Sequence, residues 1–233
     1  VEEVHNSYKN DKNLSAMIGM YAKEPANKSF FNYYMALWKY YTWAKPKLRE
    51  FATNFTGSCS TIKREVFNRL NGFSTKYKGA DVEDYEFGYR LTKNYKIRLN
   101  AKIQGKHFFP SFKSCAKNYY KRASQWFELF LKRKKFDTGA ATPGRGFASI
   151  ISFFATLILI LSIFYYPWVL LALILFIIYF LLNFGFFIFT LKEKGFLFMI
   201  RSIMTNYLLT IPISLGAIAS VANLLAFKKN GKN

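Results

Sequence analysis

Two hydrophobic rhythms divide the chain. From Phe147 to Thr190 no charged side chain interrupts the apolar run, and that length suffices for two crossings of a hydrocarbon core roughly 30 Å thick. Pro167 sits inside it in the stretch "FYYPW", where Tyr165, Tyr166 and Trp168 are residue types that favour the headgroup level. The pattern predicts a first span over 148–166, a tight aromatic turn and a second span over 168–190. A third apolar stretch, 203–227, is also long enough, but Asn206, Pro212, Ser214, Gly216, Ser220 and Asn223 make it more polar. A full span and a re-entrant or interfacial segment are both open there.

Before residue 147 the rhythm shortens and alternates. The spacing predicts an amphipathic helix over 2–11, an apolar strand over 14–21 and an aromatic-rich helix over 29–44. "FTGSCSTI", 55–62, reads as a strand after a turn, and "KREVFNRL", 63–70, as a short helix stopped by Asn71 and Gly72. A helix over 83–94 and an alternating strand over 95–101 follow. Further on, Tyr119, Ala123, Trp126, Phe127 and Phe130 recur at helical spacing opposite Lys117, Lys121, Lys132 and Arg133, the pattern of an interfacial amphipathic helix. The resulting plan is an α/β domain over 1–110, a basic amphipathic helix and linker over 111–147, two to three membrane segments over 148–227, and a basic tail over 228–233.

Composition rules out a disordered basic tail: the chain is 52% hydrophobic and 20% aromatic, with 34 Lys plus Arg against 13 Asp plus Glu and a formal net charge of +21. Such basicity suits anionic lipid or anionic substrates; no nucleic-acid module pattern accompanies it, and no nucleic-acid partner is expected. The aromatic turn lacks Lys and Arg, whereas Lys132 to Lys135 and Arg145 precede the first span and Lys192, Lys194 and Arg201 follow the second. The positive-inside rule then puts residues 1–147 in the cytoplasm at a multi-pass cell membrane. The tail "KKNGKN" conflicts with three full spans, which would carry its lysines to the far side. Cys59 and Cys115, without CxxC spacing, are expected to be reduced structural thiols.

Within so basic a chain, "GADVEDYEFGYRL" concentrates Asp81, Glu83, Asp84 and Glu86. Acids favour helix N-termini, and Glu86 with Arg90 has i,i+4 spacing, so a purely structural reading stands beside a functional one. The wider pattern favours function. "TGSCSTIKREVFNRLNGF", "VEDYEFGYRL" and "YKIRLNAKIQGKHFFPSF", followed by a basic helix and membrane segments, resembles the C-terminal half of membrane-bound family 2 glycosyltransferases.

The resemblance implies an incomplete GT-A type (nucleotide-diphospho-sugar transferase) domain with C-terminal transmembrane helices, engaged in cell-envelope polysaccharide synthesis. It gives Asp84 the role of catalytic base, Glu83 that of its partner, and places Asp81 close by. A nucleotide-sugar donor and a glycan or lipid-linked hydroxyl acceptor are implied, with membrane lipid beneath. Gly57 and Ser58 fall in the acceptor-side loop, or in an ordinary turn. His107 is either a contributor to a divalent Mg or Mn site or an imidazole packed beside Phe108 and Phe109. "RASQW" resembles the QxxRW signature with Gln and Arg exchanged; Arg122, Gln125 and Trp126 either line the acceptor or phosphate site or belong to the interfacial face. The family's DxD, which grips metal and diphosphate, has no counterpart in the 233 residues. The expectation is a fragment, or one subunit of a split enzyme with a separate N-terminal half, that does not transfer sugar alone. The competing class is a non-catalytic membrane-anchored polybasic module binding anionic lipid or a partner protein.

Overall fold

The structure is a computed structural model describing residues 1–44, 51–77 and 81–230, with side chains to 226. Residues 231–233 of the predicted tail lie outside the described residues. The chain divides into two compact units, one of residues 1–109 with 137–140, the other of residues 110–136 with 141–233.

The first unit is mixed α/β. Its elements are α1 (Glu2–Asn10), β1 (Ala16–Tyr21), α2 (Phe30–Ala44), β2 (Phe51–Ala52), β3 (Ser60–Ile62), α3 (Arg64–Arg69), α4 (Glu83–Leu91) and β4 (Ile97–Gly105). The sheet order is β2-β4-β1-β3, with β1 and β4 parallel and the two short outer strands antiparallel to them. Only the inner strands are long and apolar, which is where burial on both faces demands such residues. Ala16, Ile18, Met20, Ile97 and Leu99 from these strands meet Trp43, Phe55, Val66, Phe87 and Leu91 in one core.

Two breaks follow the sequence closely. Asn71 (φ 56) and Gly72 (φ 59) take the left-handed conformation that ends α3, as side chains tolerant of positive φ should. Arg90 then secures that end: it donates to the carbonyls of Leu70 and of Gly72 (2.7 Å) while paired to Glu86 at 2.7 Å. The predicted strand over 55–62 is shorter than expected. Asn54 and Phe55 are spent as backbone floor for α4, where a Cβ on Gly88 would overlap the Phe55 amide, so pairing resumes only at Ser60.

The second unit is helical: α5 (Phe112–Arg133), α6 (Pro143–Leu161), α7 (Trp168–Lys194) and α8 (Phe196–Asn230). The last three are long and apolar enough to cross a membrane, and the third candidate covers Phe196–Ala226. It starts earlier than the predicted 203–227, and Arg201 within it is exposed. The first helix begins at Pro143, a residue suited to the first helical turn, rather than at 148.

The burial pattern is inverted relative to a water-soluble bundle. On α6 the buried residues are Ala148, Ser149, Ser152 and Ala155, while Ile150, Phe154, Leu157 and Ile160 are exposed. On α8 the buried residues include Ser202, Asn206, Thr210, Ser214 and Ser220, while Met204, Leu208, Leu215, Ile218 and Leu225 face outward. Small and polar groups inside with large apolar groups outside is the arrangement an apolar solvent selects. Several interior polar groups are paired: Asn206 donates to Tyr179 Oη (2.6 Å) and Asn183 Oδ1 (3.1 Å), Ser214 to the Ser149 carbonyl (2.6 Å), and Tyr207 to the Ser152 carbonyl (3.0 Å), whereas the buried Ser202 and Ser220 hydroxyls have no hydrogen-bond partner among the described residues.

Candidate functional site

The parallel pair sets the geometry. In open α/β sheets, ligands gather at the carboxyl ends of parallel strands, because the chain there turns into loops whose side chains are free to vary. Tyr21 ends β1, and His107 follows the end of β4 at Gly105. Ser58 precedes β3, whose antiparallel pairing brings its start to the same edge. The three residues meet: Tyr21 Oη and Ser58 Oγ are 2.7 Å apart, and the His107 ring stands edge-on to Tyr21 at 5.2 Å between centroids. Lys39 Nζ lies 5.6 Å from the Tyr21 ring.

The acid cluster joins this edge through Gly57. Asp84 is half-buried in the first turn of α4, and its Oδ2 accepts from the Gly57 amide at 3.4 Å while Oδ1 accepts from the Tyr85 amide at 2.8 Å. Gly57 and Ser58 are exposed, so the carboxylate borders an open loop. Glu83 turns the other way: its Oε2 accepts from the Asp81 amide at 2.7 Å. Asp81 is buried. Glu86 is committed to Arg90. Glu83, Asp84 and Glu86 share the first turn of α4, and the contact with the Gly57 amide distinguishes Asp84.

A clasp absent from the sequence reading holds α4. Asp137, buried in the α/β unit, accepts from Tyr89 Oη at 2.6 Å and from Thr53 Oγ1 at 3.4 Å. Thr138 donates to buried Asn54 at 2.8 Å. Gly139, at φ +71, lies flat on Trp43, where any Cβ would sit 2.6 Å from the indole. Residues 137–140 thus group with 1–109 in the first unit. "DTGA" carries no periodicity, and a partner more than forty residues away leaves no local signal.

Arg122, Gln125 and Trp126 lie on α5 in the second unit. Trp126 stacks on Phe130 at 5.4 Å and tilts against Phe136 at 5.9 Å, within the aromatic face expected of the amphipathic helix. Lys113, Lys117, Lys121 and Lys132 are exposed.

Among the described residues, no group of three His, Cys, Asp or Glu side chains is placed to hold a metal ion. His107 packs against Tyr21 and, at 4.8 Å, Phe109. These residues do not make a divalent-metal site by themselves. Cys59 and Cys115 are free thiols, and burial pushes the Cys59 thiol up from its ordinary value. Lys106 is raised by its hydrogen bond and ion pair to Glu24 at 2.6 Å.

Fold and burial define a membrane protein with a small α/β unit attached to apolar helices. The chain matches no family model, no curated protein and no solved structure.

Proposed function

We propose that the protein takes part in inverting transfer of a sugar from a nucleotide-sugar donor to a hydroxyl acceptor, a glycan or lipid-linked sugar, at the cytoplasmic face of the membrane. Asp84 accepts the acceptor's hydroxyl proton as its oxygen attacks the anomeric carbon, and the nucleotide diphosphate departs from the opposite face. The observation that carries the reading is the place of Asp84: an acid in the first turn of α4, beside the exposed Gly57–Ser58 loop at the carboxyl ends of β1 and β4. The helix dipole and the Gly57 and Tyr85 amides favour the ionised carboxylate that a base requires.

Electrostatics bear on the acceptor. A phosphate acceptor would bring like charge onto Asp84 and has no proton to lose, whereas an alcohol needs a base. The resemblance allots the donor's diphosphate, and the divalent metal that would neutralise it, to a DxD for which these 233 residues carry no counterpart. The test therefore uses membranes holding the chain alone and with a donor-binding half supplied in trans. Asp84→Asn should lower transfer by about 10²–10⁴-fold, the usual worth of general base catalysis. Transfer unchanged by that substitution would leave the other class, a polybasic lipid-binding module, which the exposed lysines of α5 favour.

A further inference from the structure

The third apolar helix has the length of a membrane span, yet its contacts place both ends of its longest stretch at one surface. α6 and α7 are joined by the short aromatic turn at 162–167 and pack on one another, so Lys194 returns to the side on which Pro143 begins. α8 starts at Phe196, just after Gly195, on that side. At Gly216, about 31 Å further along at 1.5 Å per residue, α8 is in backbone contact with α5: a Cβ on Gly216 would fall on the Tyr120 carbonyl and stand 3.1 Å from Ala123 Cβ and Ser124 N.

The helix α5 cannot lie in hydrocarbon. It carries exposed Lys113, Lys117, Lys121 and Lys132, and charges of that number are excluded from a bilayer core. The link to α6, 134–142, carries Lys134, Lys135 and Asp137 and its residues 137–140 belong to the α/β unit, so it does not cross hydrocarbon and α5 sits at the surface where α6 begins. Gly216 is therefore at that surface too. A helix crossing along the bilayer normal would have reached the far interface within the same 31 Å or so.

The hydrogen bonds agree. Near its start α8 runs antiparallel to α7, since Asn206 meets Asn183 and Tyr179 across the Gly195 turn. Further on it runs antiparallel to α6, with Tyr207 at Ser152 and Ser214 at Ser149. At Ser214, about 28 Å past Gly195, α8 still meets Ser149, near the start of α6 at Pro143, so it has not advanced toward the aromatic turn. Beyond Gly216 the apolar remainder to Ala226 spans about 15 Å, half of what a crossing needs.

We propose that α8 does not cross but stays in the leaflet beneath α5, so that the chain crosses the bilayer twice and its C-terminal end stays on the side of α5. The partner of this surface is lipid. Leu208, Leu215, Ile218, Val221 and Leu225 face the acyl chains, while the α5 lysines meet anionic headgroups. A C-terminal end on the side of α5 carries no conflict with the positive-inside rule.

Site-directed labelling of the full chain tests this. In a Cys59→Ser, Cys115→Ser background, Lys135→Cys and Phe164→Cys report the two sides, and Asn233→Cys reports the tail, each exposed to a membrane-impermeant maleimide in sealed oriented vesicles. The expected result is Asn233→Cys labelling with Lys135→Cys, at a ratio at least tenfold above that from the opposite side. Labelling with Phe164→Cys, or equally from both sides, overturns the proposal. Where the cysteine-free background fails to fold, protease protection of a C-terminal epitope on the wild-type chain reads the same outcome: cleavage from the α5 side supports it, and cleavage from the Phe164 side sinks it.

Discussion

Replacing Gly88 by Ala probes the seat of the acid-bearing helix. A Cβ there would overlap the Phe55 amide and lie 3.0 Å from both the carbonyl carbon and Cα of Asn54. These are backbone atoms of buried residues, and Asn54 is further held by Thr138, so the floor cannot yield as a flexible side chain would. Overpacking of this kind costs about 1–3 kcal/mol, occasionally more, while Gly to Ala inside a helix returns up to about 1 kcal/mol. A net loss of about 1–2 kcal/mol remains, and at roughly 4–8 °C per kcal/mol for a unit of this size the melting temperature of the α/β unit should fall by about 5–15 °C. Relief by moving α4 outward stretches the Gly57–Asp84 contact, already at 3.4 Å, so activity should fall further than stability explains. Gly57→Ala is the matched control, because a Cβ there meets nothing within 4 Å. Thermal unfolding followed by near-ultraviolet circular dichroism in detergent decides it. Gly88→Ala melting within about 1 °C of wild type, or at no lower a temperature than Gly57→Ala, would refute the packing argument.

Other consequences are open to simple assays. Tyr89→Phe removes one donor to buried Asp137 and should destabilise the unit by about 1–3 kcal/mol, as loss of a hydrogen bond to a charged group does; an unchanged denaturant midpoint would show that Asp137 needs no such donor. Asn206→Leu removes two hydrogen bonds among the apolar helices and should cost about 0.6–2 kcal/mol in detergent unfolding, with no change in the α/β unit's melting. The raised Cys59 thiol means that the folded chain holds this proton more tightly than the unfolded one; the associated stability is complete below the ordinary thiol value of 9.0 and is lost as pH rises through the raised value. Alkylation of Cys59, mapped by mass spectrometry, should accordingly have its pH midpoint above 9.0, and a midpoint below that value would contradict the burial argument.

The elements of the α/β unit were legible because their signals are local. Period-2 and period-3.6 patterns placed β1, α2 and α4 close to their observed bounds, and Asn71–Gly72 marked the end of α3 by backbone chemistry alone. What escaped depends on contacts distant in sequence. Nothing near 137–140 signals its return onto Asn54 and Trp43, and nothing near Tyr21 signals its meeting with Ser58 and His107. The polar residues of the third apolar stretch were visible, but their meaning was not: Ser214 and Gly216 are small because α6 and α5 pass there. The i,i+4 spacing of Glu86 and Arg90 offered an ion pair, which the structure makes, and that commitment separates Glu86 from Asp84.

A side-by-side comparison of Asp84→Asn and Glu86→Gln in the same membranes, with the donor-binding half present, addresses the base assignment most directly. The account predicts sugar transfer reduced by about 10²–10⁴-fold for the first at unchanged membrane association, and transfer within a few fold of wild type for the second. Full activity of Asp84→Asn, or loss only with Glu86→Gln, would contradict it.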